Sequence, residues 1–139
     1  MLSQSGAYAL RAVLLLADGP EDGPPVPVDR IAARLGAPRN YLSKVLHVLA
    51  GTGVVSSKRG PGGGFVLSVA PSELQVARVI APFESVEGQA LCLLGRGGCS
   101  DETPCAAHAA WSPVAGEVRR FFELTTVADL LEVSGAAAL

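Results

Sequence analysis

Cys92, Cys99, Cys105 and His108 are the residues of this chain best suited to chemistry, and they fall within one short stretch, "CLLGRGGCSDETPCAAH". The stretch holds all three cysteines of the 139-residue chain and one of its two histidines. The ligand pattern is C-x6-C-x5-C followed by C-x2-H. Thiolates are soft ligands, and three of them with an imidazole suit an iron–sulfur cluster or a structural zinc ion. Zinc sites favour closer cysteine pairs than either gap here, yet spacing alone leaves both metals open. Three buried structural cysteines are the plain alternative. The polar character of "GRGGCSDETPC" argues against it. An odd cysteine count also speaks against a disulfide framework. Arg96 and the glycines Gly95, Gly97 and Gly98 let the loop fold over a cluster and offer backbone N–H groups to its sulfurs.

A second constellation lies upstream. Asn40, Ser43, Lys44 and His47 share the polar side of one helical segment, with Arg39 at its N-terminal end; all can meet base edges or phosphates. Lys58, Arg59 and Gly60 follow at the tip of a glycine-rich hairpin, "SSKRGPGGG". The net charge of −2 looks wrong for a nucleic-acid binder, but it is unevenly spread. Residues 1–69 carry seven Lys/Arg against four Asp/Glu, and residues 70–139 carry four against nine. The basic half is where a polyanion docks. No Ser-His-Asp set, carboxylate pair or nucleotide loop is apparent, and "GPGGG" lacks the GK[ST] ending of a phosphate loop. No enzyme is expected.

The elements that position these groups follow from periodicity. A helix is expected from about Gln4 to Ala17, then a breaker-rich loop, "DGPEDGPPVP". Pro27 suits the first position of a second helix, with Val28, Ile31, Ala32 and Leu35 as its apolar stripe and Gly36 as its stop. "APRNYLSKVLHVLAGTG" is a third helix, with Pro38 at its start and Leu42, Val45, Leu46 and Leu49 facing the core. The period then switches to two strands, Val54–Lys58 and Phe65–Val69, around the "RGPGGG" turn. Helix, helix and hairpin after a leading helix is the winged helix-turn-helix order, and the third helix is then the recognition helix. Ser72 and Gln75 are spaced as a capping box for a fourth helix. Thr103-Pro104 reads as the start of a helix carrying Cys105, His108 and Trp111, which would set Cys105 and His108 three apart on one face. Ser112-Pro113 either kinks that helix or starts a new one running to about Leu124. Thr126 with Asp129 caps a last helix, and "SGAAAL" reads as a frayed tail. Trp111, Phe121 and Phe122 read first as core, and Tyr8 and Tyr41 as packing residues.

"SGAYALRAVLLLA", "NYLSKVLHVLAGTGVV", "SSKRGPGGGFVL" and "GGC…C..HAAW" together resemble the winged-helix repressor family that includes the iron–sulfur cluster regulator IscR and the nitric-oxide-sensing repressor NsrR. The resemblance covers roughly residues 1–130. It implies a homodimer formed through a long helix after the ligand loop, and an iron–sulfur cluster on Cys92, Cys99, Cys105 and His108. Relatives with three cysteines and a histidine hold a [2Fe–2S] cluster. The nitric-oxide-sensing branch holds [4Fe–4S] with an acidic residue near the partner's N-terminus, and the first carboxylate here is Asp18. The first cysteine gap is one residue longer than in IscR-like loops.

The expected protein is therefore a mainly α winged helix-turn-helix regulator, with a two-stranded β wing and a C-terminal dimerisation helix. Residues 1–70 would bind an operator in double-stranded DNA, and residues 71–139 would hold the cluster and the dimer helices. The cluster's state would set DNA affinity, most simply as a repressor responding to redox state, iron supply or nitric oxide. The rival readings are a zinc-stabilised regulator and a small iron–sulfur redox protein without DNA binding. The opening segment lacks a basic n-region and a continuous apolar run, so a cytoplasmic protein with no membrane segment is expected.

Overall fold

A computed structural model describes residues 2–20, 22–84, 92–96 and 99–134. Helix α1 spans Gln4–Ala17, and the Ser3 hydroxyl caps it by accepting the Gly6 N–H at 3.1 Å. Ala9, Ala12 and Val13 on its inner face are wholly buried. Helix α2 spans Val28–Leu35, with Asp29 in its first turn and Arg34 in its last, each favourable to the helix dipole. Pro27 sits just outside α2 as its extended N-cap rather than at the first helical position. Gly36 ends the helix with a φ of 61°, a left-handed conformation that glycine adopts without penalty.

Helix α3 spans Arg39–Gly51 and buries Leu42, Val45, Leu46 and Leu49, the stripe read from the sequence. α3 then leads into a two-stranded antiparallel sheet, β1 (Val55–Lys58) and β2 (Gly64–Leu67), in the register Val55↔Leu67 to Lys58↔Gly64. The strands are shifted slightly from the expected limits, although Val54 still accepts the Ser68 N–H through its carbonyl at 3.0 Å. Phe65 is the sheet's anchor. Its side chain is buried, and its N–H and C=O exchange hydrogen bonds with Val26, both 2.9 Å. This fastens the wing to the strand-like entry of α2. Gly64 lies where a Cβ would strike the Val26 carbonyl, so that close approach requires glycine.

The capping box expected at Ser72 and Gln75 does not form. Pro71–Glu73 make a single 3-10 turn, and α4 is only Val76–Ile80, with no side-chain cap. A tertiary pairing takes precedence: Gln75 bridges Thr126, the Val76 N–H donates to the Thr125 carbonyl at 2.9 Å, and the Val127 N–H donates to the Leu74 carbonyl at 2.8 Å. Gln75 is thereby held extended, and its side chain makes no capping hydrogen bond.

The helix expected from Pro104 begins instead at His108. Helix α5 spans His108–Leu124 and runs without interruption through Pro113. Thr126 and Asp129 cap α6 (Val127–Ser134) as expected: the Thr126 N–H and hydroxyl donate to Asp129, both 2.7 Å, and the Asp129 N–H returns to Thr126 Oγ1 at 3.2 Å. The rest of the tail, 135–139, lies outside the described residues.

One core holds these pieces. Leu74, Val79 and Val127 are buried in the same cluster as Val13, Ile31, Leu46 and Phe65. Segments on both sides of residue 70 therefore share one hydrophobic interior. Tyr8 and Tyr41 pack against it edge to face, with centroids 5.8 Å apart. Helix α5 behaves differently. It packs against α4, yet Ala115 is its single buried residue among those described, while Val114, Phe121 and Leu124 are exposed. Trp111 and Phe122 are half-buried, so the expected aromatic core on this helix is absent from the single chain. No helix among the described residues is long and apolar enough to cross a membrane.

Candidate metal centre and nucleic-acid interface

The four expected metal ligands come together. Cys92 sits in a short loop, Cys99 opens the next described segment, and Cys105 lies in the turn before α5, whose first residue is His108. Cys105 is therefore not on a helix face. The His108 N–H donates to the Cys105 carbonyl at 3.0 Å, and that turn does the positioning. The three Sγ atoms all lie within 4.8 Å of one another. Cys92 and Cys105 sulfurs are 3.8 Å apart, and Cys99 Sγ is 3.2 Å from His108 Nδ1. Two ligands on one tetrahedral metal, at about 2.3 Å for sulfur and 2.0 Å for nitrogen, stand roughly 3.8 Å (S–S) and 3.5 Å (S–N) apart. The donor set and its separations fit a metal centre.

The ligands line a cavity of about 350 Å³ whose far wall is the Trp111, Ala115, Gly116 and Arg119 side of α5. Trp111 contributes there rather than to the main core. The backbone N–H of Arg96 chiefly holds the Cys92 thiol below its ordinary range, against the opposing effect of burial, with help from the Leu94 N–H and the neighbouring thiols. At Cys99 the Cys105 N–H pulls the same way, but burial and the sulfurs of Cys105 and Cys92 outweigh it and push the thiol up. Backbone N–H groups favour a thiolate at Cys92, whereas like charge opposes one at Cys99. A bound cation relieves that conflict, because it stabilises every thiolate at once.

The sequence reading gave Asp101 no role, yet its Oδ1 stands 2.9 Å from His108 Nε2. The available signal was a carboxylate in the polar run between two ligand cysteines, within reach of the imidazole's second nitrogen. Gly97 and Gly98, expected to fold over a cluster, lie outside the described residues.

At the other end of the chain, Asn40 and Lys44 are exposed on α3, and Ser43 is half-buried. Arg39 forms an ion pair with Asp29 of α2. His47 donates from Nδ1 to the Ser43 carbonyl at 2.6 Å and packs edge-on to Phe65, centroids 5.6 Å apart. Lys58, Arg59 and Gly60 are exposed at the hairpin, and neither cation makes a salt bridge among the described residues. Gly60 and Gly62 take φ values of 90° and 72°, and the Gly63 N–H closes the turn on the Gly60 carbonyl at 2.9 Å. The polar side of α3 is thus partly engaged in internal contacts, whereas the wing's cations make no ion pair among the described residues.

Residues 2–133 match the Rrf2 family, described as iron-dependent transcriptional regulators. The HTH-type transcriptional regulator IscR of Klebsiella pneumoniae is 35% identical over 140 residues, covering 96% of this chain and 85% of that protein. IscR of Escherichia coli matches to the same extent. Among solved structures, IscR of T. potens superposes with a TM-score of 0.74 at 26% identity, covering 100% of this chain and 91% of the other. CymR, the global cysteine regulator of B. subtilis, superposes with a TM-score of 0.77 at 25% identity, covering 96% and 98%. The winged-helix fold, the clustered thiols and a family match over nearly the whole chain agree, and this chain belongs to the Rrf2 family of winged-helix transcriptional regulators.

Proposed function

We propose that this regulator is a homodimer whose DNA affinity is set by an iron–sulfur cluster, most simply [2Fe–2S], on Cys92, Cys99, Cys105 and His108. The observation that carries the reading is the gathering of four donors, with the three Sγ atoms within 4.8 Å of one another and His108 Nδ1 3.2 Å from Cys99 Sγ. Two irons with two protein ligands each require that count. The cluster would supply a centre whose charge changes by one electron. The protein's part is to hold three deprotonated thiols together against α5 and to tie their geometry to that helix through the Cys105–His108 turn.

The division of labour expected at residue 70 is retained as a functional one: residues 1–70 read DNA, and 71–139 hold the ligands and the partner. Exposed Val114, Phe121 and Leu124 on α5 supply an apolar face for a second copy. On the DNA side, Asn40 and Lys44 reach the major groove, Arg39, Ser43 and His47 flank them, and Lys58, Arg59 and Gly60 meet phosphates or the minor groove. In a dimer the half-sites lie about one helical turn apart and the operator is roughly palindromic. Cluster state then favours one disposition of loop and dimer helix, and with it one spacing of the two α3 helices. On this reading the protein acts in the cytoplasm and has no catalytic role.

The test begins with anaerobic purification and a visible spectrum. A brown or red protein supports the cluster, and a colourless zinc protein overturns it in favour of the zinc-stabilised regulator. Cys99→Ala should then abolish or severely destabilise the cluster, since the chain has no fourth cysteine to replace it. The variant should still fold and its operator affinity should change. Unchanged affinity after cluster loss makes the cluster a passenger.

A further inference from the structure

Asp101 lies in the ligand loop, and its carboxylate is fully exposed while the His108 ring is mostly enclosed, 19% exposed. A carboxylate only accepts hydrogen bonds, so the 2.9 Å contact from His108 Nε2 to Asp101 Oδ1 puts the imidazole proton on Nε2. In a neutral imidazole the lone pair is then on Nδ1, the nitrogen that faces Cys99 Sγ at 3.2 Å. His47, the chain's other histidine, is held in the opposite tautomer by its Nδ1–H bond to the Ser43 carbonyl.

We propose that Asp101 is the positioning residue of the metal centre: by accepting the Nε2–H of His108 it fixes Nδ1 as the ligand atom and sets the plane of the ring. A hydrogen-bonded carboxylate behind a metal-binding imidazole also raises its basicity and adds negative charge, which favours the oxidised centre and lowers its potential. The inference rests on the cluster reading for its redox consequence but not for the tautomer. Asp101 helps to line the cavity, but its side chain is fully exposed, so removing it takes away the hydrogen bond without disturbing the buried core.

The metal-free protein provides the first readout, by long-range proton–nitrogen NMR with both imidazoles neutral. Wild-type His108 should appear as the Nε2–H tautomer and His47 as Nδ1–H. Asp101→Ala should mix the tautomers of His108 and leave His47 unchanged. Asp101→Asn keeps an acceptor oxygen and should restore the Nε2–H form. In the cluster-loaded protein, nitrogen hyperfine coupling reports imidazole ligation. There Asp101→Ala should lose the cluster about tenfold faster, the low end for such partners because this carboxylate is exposed. Its potential should rise. Asp101→Asn should recover the lifetime but not the potential, because the charge is gone. An unchanged His108 tautomer in Asp101→Ala, or an unchanged lifetime and potential, overturns the proposal. If the wild-type protein takes up no cluster at all, the cluster reading falls, while the tautomer measurement still decides whether Asp101 commands His108.

Discussion

Arg59→Ala isolates the wing's contribution to DNA binding. Arg59 is exposed beside Gly60 at the hairpin tip and makes no salt bridge among the described residues, so its removal leaves the fold untouched. Each phosphate neutralised by a cation adds about 0.9 to the slope of log affinity against log salt, so a dimer losing two such contacts should lose about 1.8. Across a fourfold rise in salt, from about 50 to 200 mM, wild type should therefore weaken roughly twelvefold more than the variant. Fluorescence anisotropy on one operator duplex, titrated at four salt concentrations, measures both slopes. A lower affinity with an unchanged slope, and a loss that varies with operator sequence, would instead make Arg59 a reader of bases. Unchanged binding to every duplex would refute the placement of the wing on DNA.

Arg39 offers a contrast, because it must leave Asp29 to reach a phosphate; Asp29→Ala should free it and tighten DNA binding at low salt, at a stability cost under about 1 kcal/mol for so exposed a pair. Gly64→Ala forces a Cβ against the Val26 carbonyl and should destabilise the protein by on the order of 2 kcal/mol in urea unfolding while weakening operator binding through the displaced wing. Asp129 is held below the usual carboxylate range chiefly by the backbone N–H of Thr126, and also by its hydroxyl. A depressed folded value means stabilisation that is present above about pH 4 and lost as pH falls through the folded value, so the melting temperatures of wild type and Asp129→Asn should differ near neutral pH and converge in acid. Sedimentation of the cluster-loaded protein at micromolar concentration should show a dimer, and a monomer there would count against α5 as the interface.

The parts of the fold legible in the sequence are those decided within a few residues. The α3 stripe of Leu42, Val45, Leu46 and Leu49 follows from local periodicity. The Thr126–Asp129 box forms even though Thr126 bridges Gln75, because that bridge runs through Thr125 and Val127 and leaves the Thr126 N–H and hydroxyl for Asp129. The misreadings share a cause. Ser72 and Gln75 have capping-box spacing, but Gln75 is drawn into pairing with Thr126, a partner about fifty residues away that no local pattern reveals. Thr103-Pro104 has helix-start chemistry, yet the chain there must fold into the turn that brings Cys105 and His108 toward Cys99, and α5 starts only afterwards. Trp111 and Phe121 looked like core because large aromatics usually are. On α5 one lines the ligand cavity and the other is half exposed, placements set by tertiary packing that periodicity cannot register.

The structure also bears on how a ligand loop can influence a recognition helix. Glu84 ends the described segment that leads toward Cys92. Its carboxylate accepts the Ser3 N–H at 2.7 Å and the Ser3 hydroxyl at 2.6 Å, over a glycine, Gly6, whose Cβ would occupy that space. Ser3 in turn caps α1, and the next turn of α1 meets α3 through the Ser5–Tyr41 hydroxyl pair and the Tyr8–Tyr41 ring contact. Polar contacts and packing thus run from Glu84 through α1 to α3, the helix proposed to read DNA. Contiguity alone is not coupling; what transmits is an element with two discrete arrangements, and α5, seventeen residues long with one buried residue among those described, is little constrained by its own chain. Linkage then has a consequence that needs no knowledge of the path. Whatever factor the cluster contributes to operator affinity, the operator must contribute to cluster affinity. If the cluster sets operator affinity as proposed, a regulator bound at its operator holds or releases its cluster differently from one free in solution, and the direction of that difference fixes whether the loaded or the empty form is the one that occupies DNA.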